Sequence, residues 1–269
     1  FFIAPTVAWQ ISDRTDLTLE LEYVNDDEPY DTGAIALNGE IADVPRERVF
    51  NDPDSIVNQE FFRAGYTLDH RFNDKWKLRN QFLFTSSFYG YNITPNPIAF
   101  IDEAAGILNR PFIQQEATTD TFSLYTNLQG EFNTGSIKHT LLFGVDLARA
   151  ESTTVSRGDF RNPASFSPIN VFDDTVDIPS PESLPLFRDQ DRNRNQLGIY
   201  VQDQIDILDN LILVAGLRYD SSFFESLDGA PDTRNTQTED ALGLVLFISL
   251  SNRYLSMPTT LAPLSQMPE

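Results

Sequence analysis

From Gly65 to Thr85 the chain reads GYTLDHRFNDKWKLRNQFLFT. Tyr66, Leu68, Phe72, Trp76, Leu78, Phe82 and Phe84 fall on one face, while the charges Asp69, Arg71, Lys75, Lys77 and Arg79 crowd the other. A period of two predicts strands, because successive side chains of a strand point to opposite faces. The pattern recurs in about eight segments of roughly ten residues each. They are residues 2–11, 17–24, 61–72, 75–86, 121–132, 137–148, 196–207 and 211–221. In 17–24, Leu17, Leu19, Leu21 and Tyr23 oppose Thr18, Glu20 and Glu22. In 196–207, Leu197, Ile199, Val201, Ile205 and Ile207 oppose Gln196, Tyr200, Gln202, Gln204 and Asp206. Segments of this length, tilted, cross the hydrocarbon of a bilayer.

The connections alternate as well. Short turns are expected at SDRTD (12–16), NDK (73–75), NTGS (133–136) and LDN (208–210), and long polar loops over 25–58, 87–120, 149–195 and 222–240. Opposed residues of a hairpin share a face, so each turn length makes a prediction. Phe72 should face Trp76 across a three-residue turn, Phe132 should pair with Ile137, and Ile207 with Leu211. The fold class these features predict is all-β: an antiparallel transmembrane β-barrel segment of about eight meander strands from a larger barrel, with short periplasmic turns and long outer loops. A soluble sandwich has turn signals more often, about every 8–12 residues.

Aromatic placement sharpens the direction of the faces. Trp9, Phe72, Trp76 and Phe132 sit on the apolar face beside short turns, and Tyr23, Phe84, Phe122 and Tyr219 near the opposite strand ends. Two aromatic rows bounding an aliphatic band match the interfacial girdles of a membrane barrel. The apolar face is then expected against lipid, and Arg63, Asp69, Arg79, Glu131, Arg218 and Asp220 against a wet lumen.

Composition removes several function classes. The 269 residues carry a net charge of −21, which argues against a nucleic-acid partner. There is no cysteine, hence no disulfide framework and no thiolate metal site, and the redox compartment stays open. No apolar run reaches the ~18 residues of a membrane helix; ALGLVLFISL (241–250) is about half that. The chain opens on strand-like FFIAPTVAWQI without a signal peptide. His70 and His139 are the two histidines, each near a short turn, and a metal site needs three or four converging ligands, so none is expected. Without a nucleophile elbow, Walker loop or zincin motif, no catalytic residue is expected and the protein reads as a non-enzyme. Asp26-Asp27-Glu28, Asp173-Asp174 and Asp189 with Asp191 are acidic groups that a carboxylate-pair glycosidase could use. DQDRNRNQ (189–196) lacks the glycine and final glutamate of a calcium loop, so a solvated loop is expected there.

The segment NQLGIYVQDQIDILDNLILVAGLRYD (195–220) resembles the barrel of TonB-dependent outer-membrane receptors, especially ferric-siderophore receptors of the ferrichrome or hydroxamate type. FFRAGYTLDHRFNDKWKLRNQFLFT and HTLLFGVD (139–146) fit more loosely. The resemblance implies a barrel of about 22 strands, and energised uptake with outer-membrane lipid, a ferric siderophore and TonB as partners. Iron would stay in the siderophore's oxygens, so no cofactor is implied. Bulky, partly apolar, often anionic chelates suit aromatic and guanidinium side chains. Tyr89, Tyr91, Phe100, Arg110 and Phe112, expected in one outer loop with Phe88, are therefore the candidate ligand contacts. Packing of that loop on itself is the competing reading.

The family's plug domain and TonB-contacting motif are not found in the sequence, so residues 1–240 are expected to be a partial barrel domain that does not transport alone. Residues 241–269 depart from the family pattern. Permitted codons for 244–269, read one base earlier, can spell GLIYQPIKPISLYANYTRSFKPNAG, so an out-of-frame or disordered tail is expected there. A passive porin segment and a secreted β-rich binding or adhesion module are the alternatives.

Overall fold

The computed structural model describes all residues except 31–32, 49, 51–54, 94–98, 160, 174–178, 230–231 and 250–269. Its large sheet is built from β1 (Phe2–Ile3), β2 (Thr6–Ser12), β3 (Thr15–Pro29), β6 (Ile56–Arg71), β7 (Trp76–Ile93), β10 (Ile113–Thr134), β11 (Ile137–Arg157), β13 (Leu186–Leu208), β14 (Leu211–Gly229) and β15 (Asp232–Ser249). The order is β1-β3-β6-β7-β10-β11-β13-β14-β15, antiparallel, with β2 also on β3. β1 and β2 are thus two pieces of one edge strand. They part at Ala4-Pro5, where proline has no N–H to give the ladder. Shorter strands β4 (Ala36–Leu37), β5 (Glu40–Ile41), β8 (Ala99–Asp102), β9 (Ile107–Asn109) and β12 (Ile169–Asn170) lie in the long connections.

Every strand read from alternation is present, and most run further than expected. β10 spans 22 residues and β13 spans 23. The loops expected over 25–58, 87–120 and 149–195 are therefore shorter, and of 222–240 the residues 222–229 end β14 and 232–240 begin β15. The physical reason is that in these outer halves the apolar residues no longer keep to one face: long runs are polar on both faces, and Phe223 and Phe224, or Phe88 and Tyr89, fall on opposite ones. Ladder hydrogen bonds form all the same, but no apolar face reports them. DQDRNRNQ belongs to β13, and Ala241–Ser249 of the expected tail belongs to β15. There Leu242, Leu244, Leu246 and Ile248 stand opposite Tyr219, Leu217, Ala215 and Leu213 and extend the apolar face. Residues 250–269 of that tail lie outside the described residues.

The turns test the register. Phe72 N–H donates to Trp76 O (3.0 Å), and Tyr66 faces Phe82 in the same register, so NDK is the three-residue turn expected. Ile205 faces Leu213 and Asp206 faces Ile212, the frame that sets Ile207 against Leu211; a bulge at the turn then pairs Leu208 with Leu211 instead. NTGS is tighter than expected. Thr134 pairs with Ile137 and Phe132 with His139, because Gly135 takes a positive φ of 64° and the turn closes over two residues. The offset is even, so the faces are unchanged.

The sheet is inside-out. Its apolar face exposes Trp9, Leu19, Phe143, Val201, Leu217 and Leu244. Its polar face buries Ser123, Thr140, Gln202, Gln204 and Arg218. A curved sheet crowds side chains on its concave side, and the crowded side here is the polar one; it is called the inner face below. The apolar core lies elsewhere, in a cap built by the connections β3–β6, β7–β10 and β11–β13. Ile35, Ala42, Phe50, Leu108, Ile169 and Val171 pack together, with Leu37, Val44 and Phe100 against them. β12, β9 and β8 form a small sheet in this cap.

Candidate functional site

The resemblance-bearing motif lies on the inner face of β13 and β14. Even-numbered positions of β13 and β14 pair without a break from Gln190↔Asp228 to Asp206↔Ile212. Tyr200, Gln202 and Gln204 of YVQDQ therefore share a wall with Gly216, Arg218 and Asp220 of GLRYD. Arg218, 6% exposed, donates through Nη1 to Asp146 Oδ2 (2.8 Å) and through Nη2 to Asp220 Oδ1 (2.7 Å). Its guanidinium also stands over the Tyr200 ring at 5.3 Å. Gly198 makes room for it, since a Cβ there would come within 2.3 Å of Arg218 Nη2. Two carboxylates on one guanidinium satisfy a charge that would be expensive to bury alone. Asp146 Oδ1 and Gln202 Nε2 keep unused hydrogen-bonding capacity among the described residues.

Elsewhere the lower wall follows the same rule. Asp69 takes Arg79 Nε (2.8 Å) and Nη2 (3.0 Å), and Glu20 takes Arg63 (3.2 Å). The upper wall differs. Gln190 Nε2 donates to Ser226 Oγ (3.3 Å) and to Asp228, and Arg194 lies over Phe224 at 5.7 Å. These contacts place Gln190, Arg192 and Arg194 on the inner face of β13, in step with Arg218. Arg188, Arg192 and Arg194 are exposed. Sequence reasoning missed them as a site because DQDRNRNQ was read as a loop. The available signal was its alternation: Asp, Asp, Asn and Asn at odd positions, Gln, Arg, Arg and Gln at even ones.

The five candidate ligand contacts do not converge. Tyr89 and Tyr91 belong to β7, not to a loop, and their rings meet edge-on at 5.4 Å. They share the inner face of β7 with Lys77, Arg79 and Gln81. Phe100, Arg110 and Phe112 are in the cap. Arg110, 1% exposed, donates to Ser167 O and Phe50 O (3.2 Å each) and lies over Phe112 at 4.8 Å. It ties the three connections together, and Phe112 is 1% exposed. On the outer face, Trp9, Phe72 and Phe132 are exposed beside the short turns, and Trp76 lies over Gly130. His139 stacks on Phe132 (4.8 Å) and meets Asp203 Oδ2 at 2.7 Å; His70 meets Thr15 at 2.9 Å. Among the described residues no group of three His, Asp or Glu could hold a metal ion.

Comparison with known proteins agrees with this architecture. The chain is 28% identical over 297 residues to the ferrichrome outer membrane transporter/phage receptor of Escherichia coli K12, covering 99% of this chain and 39% of that protein. It is 27% identical over 282 residues to the ferrioxamine B receptor of Salmonella typhimurium SL1344, covering 98% and 38%. It therefore spans less than half the length of these curated relatives. The crystal structure of the ferripyoverdine receptor of the Pseudomonas aeruginosa outer membrane, bound to ferripyoverdine, superposes with a TM-score of 0.67 at 18% identity, over 92% of this chain and 32% of that one. Residues 8–247 match the family described as TonB dependent receptor-like, beta-barrel. With an inside-out antiparallel sheet matched along nearly its whole length, this chain belongs to the TonB-dependent receptor β-barrel family, whose members are bacterial outer-membrane proteins.

Proposed function

We propose that the chain forms part of the wall of a receptor that takes up iron as a ferric siderophore across the outer membrane. One observation carries the reading: the inner wall is charge-paired at Arg218 with Asp146 and Asp220, and higher up it carries exposed Arg192 and Arg194 and the ring pair Tyr89 and Tyr91. The names of the relatives, receptors for ferrichrome and ferrioxamine B, support the ligand class. In this reading the apolar outer face meets lipid, with Trp9, Phe72, Trp76 and Phe132 at the periplasmic interface. The siderophore is held against the upper inner wall and TonB supplies the energy for its release inward. Iron stays in the chelate as cargo, so the protein supplies binding surface and not metal ligands.

The test is equilibrium binding. The full chain, folded into lipid vesicles, is incubated with radioiron-loaded chelates of the hexadentate trihydroxamate and tris-catecholate classes. Saturable retention of at least one is the expected result. Retention of neither above protein-free vesicles contradicts the proposal.

A further inference from the structure

Resting on that reading, we propose that the upper inner wall of β13 is an anion-recognition ladder, and that the chelate this protein takes carries net negative charge. The ladder is Arg188, Arg192 and Arg194. For Arg192 and Arg194 its direction follows from the unbroken β13–β14 register and from Gln190 and Arg194 meeting Ser226 and Phe224 on the inner face; Arg188 joins them through its pairing with Ser156, an inner position of β11.

These cations are not spent on neighbouring acids. Among the described residues, Arg192 and Arg194 have no ion-pair partner. On β11 they face Ser152 and Ala150, and on β14 Ser226 and Phe224. The inner carboxylates of these strands are engaged elsewhere: Asp228 takes Gln190, and Asp220 takes Arg218. Asp189 and Asp191, next in sequence, point to the other face, where Asp191 accepts from Thr153 Oγ1 (2.9 Å). The inner positions of β7, β10 and β11 above Thr85, Thr121 and Ala148 hold hydroxyl, amide, alanine and tyrosine side chains, with no carboxylate up to Tyr91, Gln115 and Ser156. In a chain of net charge −21 this wall is a local reversal of sign.

The chemistry of recognition follows from the side chains. Positions two apart on a strand are about 7 Å apart, so Arg192 and Arg194 can reach one ligand together, with Arg188 about 13 Å farther out than Arg192. A guanidinium presents a planar fork that matches pairs of anionic oxygens. Phe224 beside Arg194, and Tyr89 and Tyr91 across the wall, offer apolar faces to aryl or alkyl parts of the chelate. A neutral chelate would gain only the second kind of contact. A catecholate- or carboxylate-rich ferric chelate would gain both.

The experiment uses the full chain in vesicles with two probes, a triply anionic hexadentate ferric tris-catecholate and an uncharged ferric trihydroxamate. The anionic probe should bind more tightly, and added salt should weaken it selectively. Arg192→Gln with Arg194→Gln should reduce its affinity about tenfold or more while changing the neutral probe about twofold or less. Arg149→Gln, which removes one positive charge from the outer face, should change neither. Equal or tighter binding of the neutral probe, or insensitivity of the anionic probe to the double variant, would overturn this inference and leave the receptor reading intact. Binding of neither probe would overturn both. Circular dichroism of each variant establishes that the sheet has folded.

Discussion

Arg218 and Arg194 stand on adjacent strands of one inner wall, yet they live under different rules. Arg218 is buried, bonded to Asp146 and Asp220, and stacked on Tyr200. Arg194 is exposed, with Phe224 as its neighbour. Taking a charge out of water costs several kcal/mol unless partners replace the water. Low on the wall, Arg218, Arg79 and Arg63 each meet at least one carboxylate, and Arg218, the buried one, meets two. Higher up, water does that work, and a guanidinium can be exchanged from water to a solute at little cost. The comparison separates charges that build the barrel from charges free to bind.

Breaking the lower half should cost most. Arg218→Leu leaves Asp146 and Asp220 facing each other without their cation, and should destabilise the folded sheet by about 3–5 kcal/mol, read from urea unfolding in micelles. Leu78→Arg probes the outer face, opposite His70 and Leu128. Two residues from the girdle residue Trp76, it should cost about 1–2 kcal/mol. Arg79→Leu, one residue on, removes a half-exposed pair with Asp69 and should cost about 1 kcal/mol or less. Gly130→Ala tests the girdle: a Cβ would stand 2.2 Å from the Trp76 ring and must displace it. About 1–3 kcal/mol is expected, with a shift in Trp76 fluorescence, read in a Trp9→Phe background because the chain has only two tryptophans. Arg194→Gln should change stability least, within about 0.5 kcal/mol. A large stability loss there would erase the distinction between the two arginines.

The same division explains what could be read from sequence. In the lower halves one face is apolar and the other charged, so strands and faces follow from alternation, while of the three expected turn pairings one is seen and two shift at the turn itself. Phe72 against Trp76 is the clearest case. In the upper halves the contrast fails: DTRNTQTED at the start of β15 is polar on both faces, and the adjacent Phe223 and Phe224 of β14 fall on opposite ones. Farther along β15, Val245 and Phe247 add apolar residues to the inner face and hide the row Leu242, Leu244, Leu246 and Ile248. The cap was illegible for another reason. Ile35, Phe50, Leu108 and Ile169 come from three separate connections, and only folding shows that they share one core. Arg110 was read as a ligand contact because a guanidinium in a loop is usually solvated; here it is the buried tie between connections.

The facing of the sheet underlies every statement about lipid, lumen and ligand. The absence of cysteine allows a clean scan of single spin labels through the hairpin, from Lys77→Cys to Phe82→Cys, in vesicles. Collision with oxygen, which concentrates in lipid, should peak at positions 78, 80 and 82, and collision with a water-soluble nickel chelate at 77, 79 and 81. The opposite phase would place the charges in lipid and contradict the account; so would a scan without any period of two.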